Sequence, residues 1–378
     1  MKFSVDRKDF LEALNTVSVA ASKERRPILQ GVYIEANGST LELQCNSVEV
    51  GIVAKIPCNA EESGVLVVNA RDLTDFVKRL GGEAVTVSEQ SFPTIKINDS
   101  QTSFTMLAMS AEDFPKVATV EGTRTFSINS STLINLIERT AFATDKGDGR
   151  PIFKGCLFRV PKRSDDRFGN VLYMVATNTH RLAVDFESDP AACLDYEMNC
   201  IIPAQQLVEL RRRLNPREKV QVDVDDRSIS FTFENLIFVV RLINGTFPDH
   251  TKVTDGKWLS EVKFDSGLFL DAVQRVALVA QKNEYSAIRF NINDGVIEIS
   301  ASNVEDGLSA NETFIPNILD NGASLKISFN VKYIIDVLKI FDGAKCVMRF
   351  NNGQPLSPVR FEFAGNEDYI YVVTPVRS

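Results

Sequence analysis

The residues best suited to catalysis or metal binding in this 378-residue sequence are two histidines and six cysteines, and their placement assembles neither function. His180 stands beside Arg181, but a histidine acting as a general base is normally oriented by a carboxylate at an identifiable spacing. His250 is the only other imidazole, and the two give no triad order and no metal-ligand spacing. The run Asp145-Lys-Gly-Asp-Gly149 sets two carboxylates astride a glycine, yet it lacks the twelfth-position Glu of a calcium loop. No GxGxxG follows a strand pattern and no GxxxxGK[ST] occurs, so no phosphate cradle is expected. The cysteines at 45, 58, 156, 193, 200 and 346 contain no CxxC pair, and reduced core thiols are expected in place of zinc or disulfides. The chemistry on offer is that of binding, with no enzyme activity, no metal and no cofactor.

The elements that must position such binding residues recur three times. Phe3-Ser-Val-Asp6 precedes Phe10, Leu11, Leu14 and Val17; Phe126-Ser-Ile-Asn129 precedes Leu133, Ile134, Ile137 and Thr140; Val262-Lys-Phe-Asp265 precedes Phe269, Leu270, Val273 and Val276. In each, an alternating strand meets an Asp or Asn placed to cap an amphipathic helix. A second series leads from Val68-Asn-Ala70 to Leu73, Phe76, Val77 and Leu80, from Ile202-Pro-Ala204 to Leu207, Leu210 and Leu214, and from Phe329-Asn-Val331 to Ile334, Val337, Leu338 and Phe341. Strands follow at Val85-Thr-Val87, Val222-Asp-Val224 and Val347-Met-Arg349. Between the helices lie Leu43-Gln-Cys-Asn46, Val175-Ala-Thr-Asn178 and Ile299 through Asn303. Hairpins are expected around Asp225-Asp226 and Asn352-Gly353.

Equivalent signals are separated by roughly a third of the chain, so the sequence is a threefold duplication rather than a solenoid of short repeats. The expected fold class is α+β, with two helices laid on antiparallel sheet in each copy. Domains are placed at 1–122, 123–254 and 255–378, where Glu121-Gly-Thr and Thr254-Asp-Gly interrupt the pattern. No apolar run approaches the ~20 residues of a membrane span. The charged, alternating start is unlike a signal peptide, and a cytoplasmic location is expected.

A net charge of −8 argues against nucleic acid until the positions of the charges are considered. Each second-helix window is net positive: Arg71, Lys78 and Arg79 outweigh Asp72 and Asp75, Arg211, Arg212 and Arg213 outweigh Glu209, and Lys332 and Lys339 outweigh Asp336. The first-helix windows are neutral or acidic. A basic strip in an acidic body suits a protein that holds a duplex without gripping it.

Taken with Ala176-Thr-Asn-Thr-His-Arg-Leu-Ala183, Arg26-Pro-Ile-Leu29, Gly245-Thr-Phe-Pro-Asp249 and Tyr371-Val-Val-Thr-Pro-Val-Arg377, the chain resembles the bacterial DNA polymerase III beta subunit, or beta sliding clamp, family over its whole length. The resemblance implies three similar domains of the DNA clamp fold. It also implies a head-to-tail homodimer forming a six-domain ring around non-specifically held double-stranded DNA, which gives the replicative polymerase its processivity. It implies as partners the replicative polymerase alpha subunit, an ATP-hydrolysing clamp loader, and repair polymerases and ligase, each binding by a short linear motif. The alternative is an interaction scaffold of triplicated domains that never meets DNA.

Site residues follow from the same resemblance. A partner-peptide cleft would use Phe153, Thr177, Thr179, His180, Arg181 and Leu182, then Pro248 and Val253. Tyr285, Asn330, Tyr333, Leu356 and Pro358 would add to it, with Val372, Thr374, Pro375, Val376 and Arg377 from the terminal strand. DNA would face Lys23, Arg25 and Arg26, Lys146 and Arg150, and the second-helix bases. The subunit interface would join the Phe104–Met106 strand to Leu278, Val279 and Ala280, with Glu305 and Asp306 nearby. The chain departs from the family pattern at Asn178-Thr179, where Asp-Gly is usual, and at Ser378, where an apolar residue is usual. Ala204 and Gln205 stand where bases might be expected.

Overall fold

The structure, a computed structural model of the chain, describes residues 1–22, 26–118, 120, 124–147, 149–162, 171–192, 194–282, 285–320 and 323–376. The first copy runs β1 (Lys2–Asp6), α1 (Arg7–Val17), β2 (Gly31–Asn37), β3 (Thr40–Asn46), β4 (Val50–Pro57), β5 (Asn59–Glu62), β6 (Gly64–Asn69), α2 (Ala70–Arg79), β7 (Ala84–Ser91), β8 (Thr94–Asn98) and β9 (Ser103–Leu107). The second runs β10 (Arg124–Asn129), α3 (Ser130–Thr140), β11 (Gly155–Val160), β12 (Val171–Thr177), β13 (Arg181–Ser188), β14 (Met198–Pro203), α4 (Ala204–Arg211), β15 (Lys219–Val224), β16 (Ser228–Phe233) and β17 (Leu236–Arg241). After a short helix α5 (Thr251–Thr254), the third runs β18 (Ser260–Asp265), α6 (Ser266–Ala280), β19 (Ala287–Asn293), β20 (Val296–Asn303), β21 (Leu308–Phe314), β22 (Ile318–Leu319), β23 (Leu325–Asn330), α7 (Val331–Phe341), β24 (Lys345–Phe350), β25 (Val359–Phe363) and β26 (Asn366–Val373).

The helices begin where the capping residues stand. The Asp6 carboxylate accepts from the Lys8 and Asp9 amides, Asn69 from Asp72, Asp265 from Gly267 and Leu268, and Asn330 from Lys332. Each cap satisfies donors that the first helical turn leaves without partners. α1 turns Phe10, Ala13, Leu14 and Val17 inward, and α7 buries Val331, Ile334, Val337, Leu338 and Phe341. α4 ends at Arg211, short of the Leu214 that the apolar spacing predicted. Arg212 and Arg213 lie in a tighter terminal turn, in which the Arg213 amide donates to the Leu210 carbonyl, and Pro216 bars continuation. The Asn352-Gly353 signal sits in the longer connection between β24 and β25 rather than in a two-residue turn.

Among the described residues all strand pairs are antiparallel, and they form four sheets in two compact units. Residues 1–131 and 209–242 make one unit, which contains a five-stranded sheet ordered β5-β1-β7-β8-β9 and an eight-stranded sheet ordered β10-β15-β16-β17-β4-β3-β2-β6. Residues 132–208 and 243–378 make the other, with a nine-stranded sheet ordered β14-β11-β12-β13-β26-β25-β24-β18-β22 and a four-stranded sheet ordered β21-β20-β19-β23. The compact units therefore cut across the sequence copies. The cause is two ladders that join consecutive copies edge to edge: Val240 pairs with Val50 and Phe238 with Ile52, and likewise Val373 pairs with Arg181 and Tyr371 with Ala183.

Strand for strand, β10-β15-β16-β17-β4-β3-β2-β6 repeats as β18-β24-β25-β26-β13-β12-β11-β14. The five- and four-stranded sheets are the two halves of the same pattern, left unjoined. β9 and β21 each end their sheet, with no ladder on the outer side among the described residues. Between the layers the core is aromatic. Phe269, fully buried, meets Phe264 at 4.4 Å, Phe314 at 4.9 Å and Phe290 at 5.6 Å between ring centroids. Truncating such a ring to Ala costs about 3–5 kcal/mol. Among the described residues the cysteines are free thiols, and burial pushes that of Cys156 up to about 12; Cys193 lies outside the described residues.

Candidate peptide-binding cleft

In the unit formed by residues 132–208 and 243–378, the β12–β13 turn, the segment 247–253 and the ends of β25 and β26 enclose a cavity of about 260 Å³. Phe153, Thr177, Thr179, His180, Arg181, Leu182, Pro248, Val253, Pro358, Val372 and Thr374 line it, all of them expected. Phe247, Asp249 and His250 line it as well and were missed. Their signal was the Phe-Pro-Asp run, in a connection whose residues show no periodicity. Beneath the cavity, Val175, Leu182, Val184, Ile370 and Val372 pack together, with Phe247 and Trp258 against them. The result is an apolar floor with a few fixed polar groups at the rim, a form suited to anchoring one or two side chains of an extended ligand.

Arg181 gives the turn its rigidity. Nearly all of it is buried, with Nη1 donating to Asp336 Oδ2 at 2.7 Å and Nη2 donating to the Phe142 carbonyl. Its guanidinium lies 4.5 Å from the Tyr333 ring centroid and 5.2 Å from that of Phe142. Asn178 Oδ1 accepts from the amides of His180 and Arg181, and its Nδ2 donates to the Tyr333 hydroxyl at 3.2 Å. Thr179 is held at φ +74, a region that a β-branched residue seldom enters. The Thr374 amide and hydroxyl both donate to the His180 carbonyl, at 2.9 and 3.0 Å. His250 packs on Tyr173, and burial lowers its pKa. Asp249 accepts from the Thr251 hydroxyl at 2.6 Å and from its amide, which holds its carboxyl below the usual range.

The remaining cleft candidates lie around this cavity rather than in its wall. Tyr333 is the platform beneath Arg181. Asn330 caps α7 and donates to the Tyr285 carbonyl at 3.4 Å. Tyr285 and Leu356 are exposed. Pro375 and Val376 are half-buried as the terminal segment runs past β23, where the Val376 amide donates to the Ser328 carbonyl. Arg377 lies outside the described residues.

Of the DNA-facing candidates, Arg26, Arg71, Lys78, Arg79, Lys146, Arg150, Lys332 and Lys339 are exposed. Arg211 is half-exposed, and Lys23 and Arg25 lie outside the described residues. Arg212 is exposed but paired with Glu209 at 2.7 Å. Arg213 is the poorest of the set: its guanidinium is largely buried, donating to the Glu209 carbonyl and pairing with its carboxylate at 3.3 Å. Of the interface candidates, Phe104 and Met106 are half-exposed on β9, with Phe104 stacked on Phe76 at 4.5 Å. Leu278 is exposed and Val279 half-exposed, and Glu305 and Asp306 occupy the exposed β20–β21 turn. Ala280 is a correction: it is fully buried on the inner face of α6, so its methyl is core and not surface.

Family models describing the N-terminal, central and C-terminal domains of the DNA polymerase III beta subunit match residues 1–118, 127–249 and 257–377. A beta sliding clamp of Pseudomonas putida is 30% identical over 382 residues and one of Staphylococcus aureus 27% over 389, each aligned over 100% of both chains. Among solved structures, the DNA polymerase sliding clamp of Bacillus subtilis superposes with a TM-score of 0.92 at 26% identity, covering 100% of this chain and 99% of the other. A sliding clamp of Pseudomonas aeruginosa superposes at 0.91 with 29% identity, covering 100% of both chains. Among the described residues no helix is long and apolar enough to cross a membrane.

Proposed function

From the premise that this chain belongs to the DNA polymerase III beta subunit family, the beta sliding clamps, we propose that two copies close head to tail into a ring that encircles duplex DNA and tethers the replicative polymerase. The observation that carries this reading is the pair of unjoined half-sheets. β17 meets β4, and β26 meets β13, by one repeated ladder. β9 and β21 are the remaining members of the same two strand positions, and among the described residues each has no ladder on its outer side. Joining β9 of one copy to β21 of another repeats that ladder twice more and completes both half-sheets. Such a contact uses two different surfaces, and it yields a closed assembly only when the rotation returns to its start.

In this reading the copies act as domains 1–122, 123–254 and 255–378. The exposed bases of α2 and α7 contribute a salt-screened, sequence-independent attraction to phosphates, so the ring slides. The cleft beside Arg181 receives linear motifs of the polymerase alpha subunit, the clamp loader, repair polymerases and ligase. The protein is non-catalytic, needs no cofactor of its own, and works in the cytoplasm at the nucleoid. A loader with ATP would place it on nicked circular plasmid. Retention on the circle through high salt, with loss after one restriction cut, is expected. A monomer at micromolar concentration, or equal retention on circular and linear DNA, would leave only an interaction scaffold.

A further inference from the structure

The cleft beside Arg181, on the nine-stranded sheet, has a counterpart at the matching place on the eight-stranded sheet, within the unit formed by residues 1–131 and 209–242. A hollow of about 340 Å³ is lined there by the β3–β4 turn from Asn46 to Gly51, by Lys116–Ala118, and by Arg227, Ser228, Val239 and Arg241. Its backbone frame matches bond for bond. Ser47 Oγ accepts from the amides of Glu49 and Val50, as Asn178 Oδ1 does from His180 and Arg181. The Arg241 amide donates to the Glu49 carbonyl at 2.9 Å, as the Thr374 amide does to the His180 carbonyl.

The side chains differ, and the differences decide the chemistry. Gly51 takes the place of Leu182, and a Cβ there would stand 2.8 Å from a Val117 methyl. The chain's own connecting segment thus fills the apolar part of the hollow. That segment is tied down by the Val117 amide, which donates to Gln44 Oε1 at 3.0 Å, and by Asn46 Nδ2, which donates to the Pro115 carbonyl at 2.8 Å. Ser228 and Arg241 replace Pro358 and Thr374, and Arg227 stands beside them. Lys116 is engaged with Glu35 and the Tyr33 ring. The Arg227 and Arg241 side chains have no ion pair or hydrogen bond among the described residues. Among the described residues Glu49 is the only carboxylate in the lining, so a chain of net charge −8 presents here two guanidinium forks in a concave site.

We propose that this hollow is a second docking site, for an extended segment of a partner protein that presents an Asp or Glu side chain to Arg227 and Arg241. A guanidinium fork matches a carboxylate in two parallel hydrogen bonds, and partial enclosure strengthens them. A duplex is the weaker fit, because its convex phosphate backbone meets the rim of a concavity this small and not its interior.

The test is a displayed library of heptapeptides with Asp or Glu fixed at two positions, selected on the full-length protein against a library with Lys at those positions. Acidic peptides should be enriched. Their affinity should fall at least about tenfold on the Arg227→Glu/Arg241→Glu variant, and change less than about twofold on Val253→Glu, which alters the other cleft. Both arginines are exposed, and unchanged thermal melting would show that the charge-reversed variant folds. The proposal is overturned by no enrichment of acidic over Lys peptides, by binding that survives the arginine reversal or is lost with Val253→Glu, or by a reversal that weakens only the binding of a short DNA duplex.

Discussion

Arg181 and Asp336 form a 2.7 Å ion pair that joins the β12–β13 turn to α7 across 155 positions of sequence. The arginine is almost wholly buried, and its guanidinium lies against the rings of both Tyr333 and Phe142. Removing one partner of such a pair leaves the other charge and the Phe142 carbonyl without compensation, at a cost of about 3–5 kcal/mol. Arg181→Ala should lower the melting temperature of this unit, and Arg181→Lys should recover only part of the loss, because an ammonium can neither stack nor fork. Peptide affinity should fall in both, since the turn forms the cleft wall. An unchanged melting curve for Arg181→Ala would show that the pair is not structural.

Thr179 stands at φ +74 one residue before His180, on the same wall. A β-branched residue there carries on the order of 1–3 kcal/mol of backbone strain. Asn tolerates this conformation and, unlike Gly, adds little entropy to the unfolded chain. Thr179→Asn is expected to stabilise the protein by about 1 kcal/mol in equilibrium denaturation and to change peptide affinity by removing a methyl from the cavity. A destabilised variant would mean that the Thr methyl contributes more than its backbone costs.

The threefold plan was legible because each copy repeats a local device: Asp6 and Asp265 accept amides one turn into their helices, and the apolar spacing behind them sets the buried face. The shared sheets were not legible, because the Val240–Val50 and Val373–Arg181 pairings join distant segments that an alternating pattern leaves unspecified. The burial of Arg181 was hidden for the same reason, as its partner lies on a distant helix. Ala280 shows the converse limit. Helical spacing places it with Val276 and Ala277 on the inner face, and likeness to a family interface did not override that geometry. Phe247 and His250 sit in a connection with no period to read.

Asp185 is fully buried, with Arg139 Nη1 at 3.2 Å and one carboxylate oxygen without a hydrogen-bond partner among the described residues. Burial outweighs Arg139 and raises its pKa from 3.8 to about 7. The folded state therefore holds a proton that the unfolded chain has released between those values, so stability from this group is present at low pH and lost as pH rises from about 4 to 7. Asp185→Asn should remove that slope and gain on the order of 2–4 kcal/mol relative to wild type at pH 8 compared with pH 4. Parallel stability–pH curves for the two proteins would contradict the assignment.

The repeated ladder also fixes which residues should face one another where two copies meet. Ile97 pairs with Phe104 as Phe231 pairs with Phe238, so Phe104 and Met106 hold the places of Phe238 and Val240. Ala301 pairs with Ala310 as Cys45 pairs with Ile52, so Ala310 and Leu308 hold the places of Ile52 and Val50. The observed pairs Phe238–Ile52 and Val240–Val50 then predict Phe104 opposite Ala310, and Met106 opposite Leu308, of a second copy. A protein carrying Met106→Cys and Leu308→Cys should give covalent dimer on mild oxidation, whereas Met106→Cys/Asn311→Cys, three residues out of register and on the other face, should give far less. Equal yields from both would show that the edges do not meet in this register. Covalent dimer from the first alone would fix the two strands as partners, because an antiparallel ladder brings directly opposed side chains within about 5.5 Å and turns residues one step out of register to the opposite face.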